Sequence, residues 1–336
     1  MGIEPSGQTI QAVIPVFLLF FLFIFYPLGL VLPMKGVRTM YPFGKGKARL
    51  IPYLYLSIPL LLYVVFGFGP SLVTVLFSFT DATGVRGQEW SFIGFENYKT
   101  FFGASNAGDR LDAIGRSLYF AFAVVIIQNA VGLFMAILIN KKLRGDKLYR
   151  AVFFLPVVLG VTVSGLIWQL VANPLGGPAQ SILNFFGTSS NFFGDYNIAF
   201  ELIIFVQIWM YMGYSMTIFL AGLQTIPSDL YEAAYMDGAS GWKAFTNITF
   251  PMIAPSFTVN MLLSIIGALQ TFDIIYVLTG GKFNTTTLAF DVYATAFGSG
   301  SADYGLASAV AMIQFLFVFT ISMIALFYLR KREVEV

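Results

Sequence analysis

The chain has 336 residues, of which 57% are hydrophobic and only 11% are charged, with a formal net charge of +2 and a mean hydropathy of +0.78. This balance is far too apolar for a soluble domain and indicates an integral membrane protein. The sequence contains neither His nor Cys. It therefore forms no disulfides, and the commonest general base and metal ligand are missing, which disfavours a membrane-embedded enzyme or metalloprotein.

Seven stretches are apolar and long enough to cross a bilayer, which takes about 20 mostly apolar residues for each helix. The sequence therefore predicts an all-α membrane protein with about seven transmembrane helices. No basic region precedes the first stretch, which is also too long for the apolar part of a secretory signal, so we expect it to remain as a helix. The predicted spans are 11–33, 52–79, 114–139, 149–171, 199–224, 252–279 and 306–329.

The basic residues fall mainly in alternate loops. If the seven helices alternate in direction, one side of the membrane carries only Arg86, Lys99, Arg110, Arg116 and Lys282. Cytoplasmic loops are enriched in Lys and Arg, so the richer side is predicted to be cytoplasmic. We expect a multi-pass protein of the cell membrane with its N-terminus outside and its C-terminus in the cytoplasm. The richer side holds Lys35, Arg38, Lys45, Lys47, Arg49, Lys141, Lys142, Arg144, Lys147, Arg150, Lys243, Arg330, Lys331 and Arg332.

The longest polar segment on the predicted outer side, residues 80–113, is rich in aromatic residues, which are typical of an interfacial belt. The stretches 78–81 and 92–98 also resemble the first external loop of sugar-type permeases of ABC importers. Further along the chain, residues 153–156 and 165–174 resemble a later helix of the same family as it enters and leaves the membrane.

Polar side chains in the predicted fifth and sixth spans are the candidates for a solute path. On the fifth span Gln207, Tyr211 and Tyr214 recur at i, i+4 and i+7, so they share one helix face. A polyhydroxylated solute needs hydrogen-bonding groups and aromatic faces, but polar contacts between helices use the same residue types. The sequence leaves both interpretations open. The candidates on the sixth span are Asn260, Ser264, Gln270, Thr271 and Asp273.

Ionisable residues are scarce within the predicted spans. Burying a charge in lipid is costly, so the acidic residues Asp273 and Glu201 are functional candidates. Glu201 lies at the outer edge of its span, whereas Asp273 lies deeper, where it can bind a sugar hydroxyl or a neighbouring helix. For Gln128, Asn129 and Gln314 we favour hydrogen bonding between helices.

Residues 228–251 carry the most specific pattern of the sequence. Ser228 is predicted to cap a short helix, with Asp229 in its first turn, where a negative charge complements the helix dipole. Gly238 lies where that helix is expected to end, because glycine adopts the left-handed conformation without penalty. A second short helix is predicted from Ser240, and it puts Trp242 and Phe245 on one face.

This helix–turn–helix segment resembles the coupling loop through which the permeases of ABC importers contact an ATPase. Phe250 stands where the family usually has Leu, which keeps the position apolar. A generic amphipathic loop or a DNA-reading helix-turn-helix are the alternatives; the latter is disfavoured because Lys243 faces three acids. The residues assigned by the resemblance are Glu232, Ala233, Ala234, Asp237, Gly238, Ile248 and Pro251. We refer to residues 225–251 as the candidate coupling loop.

The resemblance implies a type I ABC importer permease of the carbohydrate class, similar to the larger permease of maltose, trehalose and glycerol-3-phosphate systems. Residues 51–336 would form its six-helix core, and residues 1–50 an additional N-terminal helix and basic loop. Its partners would be a second homologous permease, two ATP-binding subunits and an extracytoplasmic solute-binding protein. The chain has no phosphate-binding loop, so we expect it to bind no cofactor, and ATP and Mg²⁺ would belong to the ATPase subunits.

Other functions remain open at this point. An importer permease for glycerol phosphate, an amino acid or another solute would carry the same loop. An ion-gradient-driven transporter or channel would need coupling residues, for which Asp273 and Glu201 are the candidates. A membrane scaffold and a lipid-modifying enzyme are further alternatives, the last disfavoured by the missing His and Cys.

Overall fold

The computed structural model describes residues 51–85, 87, 89–103, 107–141, 144–298 and 302–331. These residues form helices and two isolated β-bridges, and no strand is found among them. The predicted first span at 11–33 and the basic residues before position 50 lie outside the described residues. The chain divides into two units, residues 1–69 and residues 70–336.

In the first unit, α1 (Ile51–Tyr63) is followed by a π-helical turn at Val64–Phe68, and α2 (Gly69–Phe77) leads into the second unit. A 3₁₀ turn occurs at Phe192–Gly194 and a second π-helical turn at Phe245–Thr249. The other helices are α3 (Glu96–Phe102), α4 (Ala107–Asn140), α5 (Asp146–Val171), α6 (Pro178–Phe185), α7 (Ala199–Leu223), α8 (Ser228–Met236), α9 (Gly241–Ala244), α10 (Phe250–Met252), α11 (Ala254–Leu269), α12 (Asp273–Leu278), α13 (Leu288–Phe297) and α14 (Tyr304–Arg330).

Five helical stretches of the described chain are long and apolar enough to cross a membrane. Two further stretches, Gly241–Met252 and Ala254–Leu269, meet that condition only together and are bent by 69°. The described residues therefore supply five or six of the seven predicted spans, and the chain is a multi-pass membrane protein. The five stretches are Tyr55–Phe77, Gly108–Asn140, Asp146–Val171, Ala199–Leu223 and Tyr304–Arg330.

The prediction of one continuous helix over 252–279 is wrong. The helix bends at Ile253, and a break at residues 270–272 separates α11 from α12. At the break, the hydroxyl of Thr271 donates to the carbonyl of Gly267 at 2.7 Å. The backbone N–H of Ile274 donates to Asp273 Oδ1 at 2.9 Å. These side chains bond backbone groups near the break, as Thr and Asp side chains commonly do beside irregular backbone.

The predicted span at 149–171 also has an unforeseen feature. Helix α5 begins earlier, at Asp146, and is kinked at Gly160, whose φ of 75° and ψ of 167° are not helical. Glycine reaches this conformation at little cost because it has no Cβ. Pro156 lies one turn before the kink and removes a backbone donor from the helix, so both residues favour a bend here.

Helix α7 is the centre of the second unit, with more than half of its residues buried, and it packs against α4, α5 and α11. Small residues allow these close contacts, as is usual between membrane helices. A Cβ at Gly132 of α4 would lie 2.7 Å from the Cβ of Ser215 in α7, and a Cβ at Gly213 would overlap the carbonyl oxygen of Phe153 in α5.

A buried hydrogen-bonded cluster joins α4, α7 and α11. Gln128 Nε2 donates to Ser215 Oγ at 2.8 Å, and Asn129 Nδ2 donates to Ser264 Oγ at 3.0 Å. Asn260 Nδ2 reaches the carbonyl of Ser215 at 3.4 Å. This geometry agrees with the predicted role of Gln128 and Asn129 in joining helices.

Candidate functional site

Helix α8 ends as the sequence predicts. Gly238 has a φ of 72°, and its N–H donates to the carbonyl of Tyr235 at 3.0 Å, while the N–H of Ala239 donates to Ala234 at 2.9 Å. These two bonds and the left-handed glycine form a Schellman motif, which satisfies the last carbonyls of the helix. The turn therefore reverses the chain sharply after Asp237.

The start of α8 differs from the prediction, because Pro227 and not Ser228 occupies the cap position. Pro227 has extended backbone angles, and Ser228 is already the first helical residue, its hydroxyl bonding Asp229 Oδ1 at 3.3 Å. The second predicted helix begins one residue after Ser240, at Gly241; Ser240 is its cap, and its Oγ accepts from the N–H of Lys243 at 3.4 Å. Two short helices joined by a turn thus form as predicted.

The tip of the candidate coupling loop is an exposed and partly apolar surface. Tyr235 and Met236 at the end of α8 are 80% and 83% exposed, and Trp242 of α9 is 72% exposed. Glu232, Ala233 and Asp237 are exposed and Ala234 is half-buried. Large apolar side chains exposed beside carboxylates are typical of a protein-binding surface.

A row of aromatic rings connects this surface with the buried end of α7. Trp242 stacks on Phe245 with ring centroids 5.5 Å apart, and Phe245 lies 6.1 Å from Phe250. Phe250 is 5.4 Å from Phe257 in α11, which is 6.0 Å from the fully buried Phe219 of α7. The aromatic residue at 250, where the resembled family has Leu, therefore packs as the middle ring of this row.

Other contacts fix the loop to the helices. The hydroxyls of Tyr231 in α8 and Thr249 form a hydrogen bond of 2.9 Å. Tyr231 and Ile248 pack against a buried cluster that contains Ile226 and Ile253, and Pro251 lies half-buried in α10. Side chains of the loop therefore pack directly against residues of α7 and α11.

A cavity of about 650 Å³ lies beside the start of α8, between the ends of α4, α5 and α7. Arg150 lines it and pairs with Asp146 at 3.4 Å. In the described part of the chain, Lys141, Arg144, Lys147, Lys243, Arg330 and Lys331 all lie at helix ends or loops on this same end of the helices.

The polar candidates for a solute path are only partly brought together. Gln207 is buried, and its Nε2 donates to Thr271 Oγ1 at 3.4 Å. Tyr211 is half-buried one turn from Gln207, and Tyr214 is 39% exposed. Asn260 lies apart from them, fully buried in the cluster with Ser215.

Ser264 is buried in the cluster that joins α4, α7 and α11, and the last two candidates lie at the break between α11 and α12. Gln270 is exposed, and Asp273 is half-buried at the start of α12. Gln207 and Thr271 are thus buried together at the break, while Asp273 is half-buried and Gln270 is exposed there. The sequence missed Ser215, because a lone serine in an apolar helix carries no pattern of its own.

At the far end of the helices, opposite the candidate coupling loop, short hydrogen bonds join the segments around residues 78–81 and 91–97. Asn97 Nδ2 donates to the carbonyls of Ser78 and Thr80 at 3.0 and 2.8 Å. Asp81 accepts from the N–H and the hydroxyl of Ser91, and these bonds hold the pKa of the Asp81 carboxyl below its usual value. The segments that resemble an external loop therefore fold back on one another.

Comparison with known proteins identifies the family. Residues 128–335 match the family described as binding-protein-dependent transport system inner membrane component. The chain belongs to this family. It is therefore a membrane component of an ABC importer rather than an enzyme.

Two curated relatives cover most of the chain. The multiple sugar-binding transport system permease protein MsmF of Streptococcus mutans is 36% identical over 83% of this chain and 95% of its own length. The probable starch degradation products transport system permease protein AmyD of Thermoanaerobacterium thermosulfurigenes is 32% identical over 84% of this chain and 95% of its own length.

A solved structure has the same fold. It is a bacterial alginate ABC transporter in complex with an alginate pentasaccharide-bound periplasmic protein. One of its chains superposes on this chain with a TM-score of 0.73 and 21% sequence identity, over 83% of this chain and 93% of its own length.

Proposed function

We propose that this chain is the membrane-spanning subunit of an ATP-driven importer for a sugar or oligosaccharide, in which it forms half of the translocation path. The observation that carries the proposal is the candidate coupling loop, an exposed helix pair whose side chains pack against α7 and α11. Family membership and the sugar-transporting relatives support the choice of solute. The expected partners are a second homologous permease, two ATP-binding subunits and an extracytoplasmic solute-binding protein.

The proposed orientation puts the candidate coupling loop in the cytoplasm and the C-terminus on the same side. The basic residues gathered at that end support it, because cytoplasmic loops carry an excess of Lys and Arg. The N-terminus is outside in this proposal, with residues 1–50 forming an additional helix and a basic loop outside the six-helix core. This chain binds no nucleotide, and ATP and Mg²⁺ bind to the ATPase subunits.

In the proposed mechanism, closure of the ATPase subunits on ATP displaces α8 and α9. Glu232 and Asp237 make ionic contacts in a cleft of the ATPase, Ala233 and Ala234 allow close approach, and Gly238 provides the turn. The displacement reaches α7 and α11 through the aromatic row and the half-buried Ile248 and Pro251. The path, to which Gln207, Tyr211, Tyr214, Asn260, Gln270, Thr271 and Asp273 contribute polar groups, then opens outward to the loaded binding protein.

The complex can be purified from its native membrane and reconstituted in vesicles with its binding protein. We expect an ATPase and a second permease to copurify, and we expect uptake of maltose, maltotriose, trehalose or raffinose only when ATP is supplied. ATP-dependent uptake of glycerol 3-phosphate or an amino acid instead would agree with an ATP-driven importer but would contradict the assignment of a sugar as its solute. Uptake driven by an ion gradient without ATP would contradict the proposal.

A further inference from the structure

Four aromatic side chains around the break between α11 and α12 form a continuous series, which we call the aromatic ladder: Phe272, Tyr276, Tyr293 and Phe297. Phe272 stacks on Tyr293, with ring centroids 5.3 Å apart and planes inclined by 21°. Tyr276 lies 5.1 Å and Phe297 lies 5.5 Å from the same Tyr293 ring. The ladder thus joins α12 with α13 across a long connection.

Most of the ladder is open to its surroundings. Phe272 is 37%, Tyr276 is 51% and Phe297 is 67% exposed, while Tyr293 is half-buried at the centre. Rings that served only to pack a core would be buried, since burial is the source of their stabilisation. These three side chains therefore keep surface that no other described residue covers.

The support behind the ladder is rigid. The buried ring of Phe290 lies 6.2 Å from Tyr293 and is held against Gly281, where a Cβ would overlap it. The hydroxyl of Thr287, just before α13, reaches the carbonyl of Thr271 in the break at 3.5 Å. These contacts fix the ring positions in advance, which lowers the entropic cost of binding.

Two polar residues flank Phe272 in the sequence. Gln270 is exposed and Asp273 is half-buried, both within three residues of that ring. A pyranose ring has apolar C–H groups on its faces and hydroxyls at its edge. An aromatic face, whose quadrupole is negative, attracts such C–H groups, while an amide and a carboxylate bond the hydroxyls.

We propose that the aromatic ladder binds pyranose rings of the imported sugar by stacking. The inference rests on the proposed function, and it adds a binding surface formed by residues that the sequence pattern did not select. Because the rings extend from the break into α13, the surface accommodates more than one sugar ring. It therefore favours oligosaccharides over monosaccharides.

A lipid-facing role predicts a different environment. The stacked pair Phe315 and Phe319 on α14 is similarly exposed, at 57% and 53%, with centroids 6.0 Å apart. It lies on a continuous apolar span and has no interrupted backbone beside it. This pair therefore provides a matched control for the ladder.

The test is ATP-dependent uptake by the complete transporter in vesicles, with the sugar that the wild type imports among maltose, maltotriose, trehalose and raffinose. We expect Tyr276→Ala to raise KM by about tenfold, which corresponds to the loss of one favourable stacking contact. Tyr276→Phe keeps the ring and should stay near the wild-type KM. Phe315→Ala should leave KM unchanged.

The amount of assembled complex and its ATPase activity without sugar show whether each variant folds. The wild type must import the sugar for this comparison. If folded Tyr276→Ala and Phe297→Ala variants then have an unchanged KM, the proposal that the ladder binds sugar is contradicted. An equal increase of KM in Phe315→Ala would do the same, since it would point to lipid contacts. If the wild type imports none of the four sugars, the proposed function fails, and the ladder proposal fails with it.

Discussion

Replacement of Glu232 by Lys is expected to reduce ATP-dependent uptake at least about tenfold while the chain still enters the membrane. Glu232 is exposed on α8. Reversal of a charge at a protein interface costs several kcal/mol, and each ~1.4 kcal/mol weakens binding tenfold. Lys and Glu have similar helix propensities, so α8 should persist. An added Lys also agrees with the proposed cytoplasmic location.

Glu96→Lys provides the matched control. Glu96 is an exposed residue of the short helix α3 at the far end, where it pairs with Lys99 at 2.6 Å. A surface ion pair of this kind contributes about 0–1 kcal/mol, so uptake should change little. Wild-type uptake by the Glu232→Lys transporter would show that Glu232 does not make the proposed ionic contact with the ATPase.

The substitution Gly213→Ala is expected to disrupt the packing of α7 against α5. The new Cβ would overlap the backbone carbonyl of Phe153, which cannot rotate away, so the two helices must separate. Overpacking of this kind costs about 1–3 kcal/mol. We expect Tm in detergent to fall by on the order of 5 °C, with a similar loss of assembled transporter.

Gly267→Ala is the control, because Gly267 is also a helical glycine, and a Cβ at this position would meet no atom of a neighbouring element within 4 Å. Alanine is a better helix former by about 0.5–1 kcal/mol, so Tm should remain equal or rise. Equal Tm values for Gly213→Ala and the wild type would show that α5 and α7 do not pack as described.

The candidate coupling loop was the part most accessible from sequence, since its features are local. The left-handed turn at Gly238 depends on neighbouring residues and is confirmed, and the second short helix begins within one residue of the predicted Ser240, which caps it. The cap at Ser228 was wrong by one residue, because Pro227 supplies the extended backbone that starts α8.

The break in the predicted span 252–279 could not be predicted from local sequence features. Residues 252–279 have the hydropathy of one long helix, and nothing in an apolar window distinguishes a continuous helix from two joined by a break. At the break the side chains of Thr271 and Asp273 bond nearby backbone groups, which hydropathy does not register. Hydropathy therefore predicted the membrane location but not the path of the chain through it.

Contacts between distant segments were equally out of reach. Gln207 meets Thr271 and Asn260 meets Ser215 only because α7 and α11 pack closely. The aromatic ladder did leave a partial signal, since 272 and 276, and likewise 293 and 297, are aromatic pairs at i and i+4. That the two pairs face each other depends on the turn between α12 and α13.

The most direct test of the account is cross-linking of the candidate coupling loop to the ATPase in the purified complex. The chain has no Cys, so Met236→Cys, at a position 83% exposed, introduces its single thiol, to be treated with a thiol-to-amine reagent. Phe185→Cys, at a position 85% exposed on α6 at the far end, is the control. We predict that the ATPase subunit is linked to position 236 and not to position 185; linkage to neither, or to position 185 alone, would contradict the assignment of the loop.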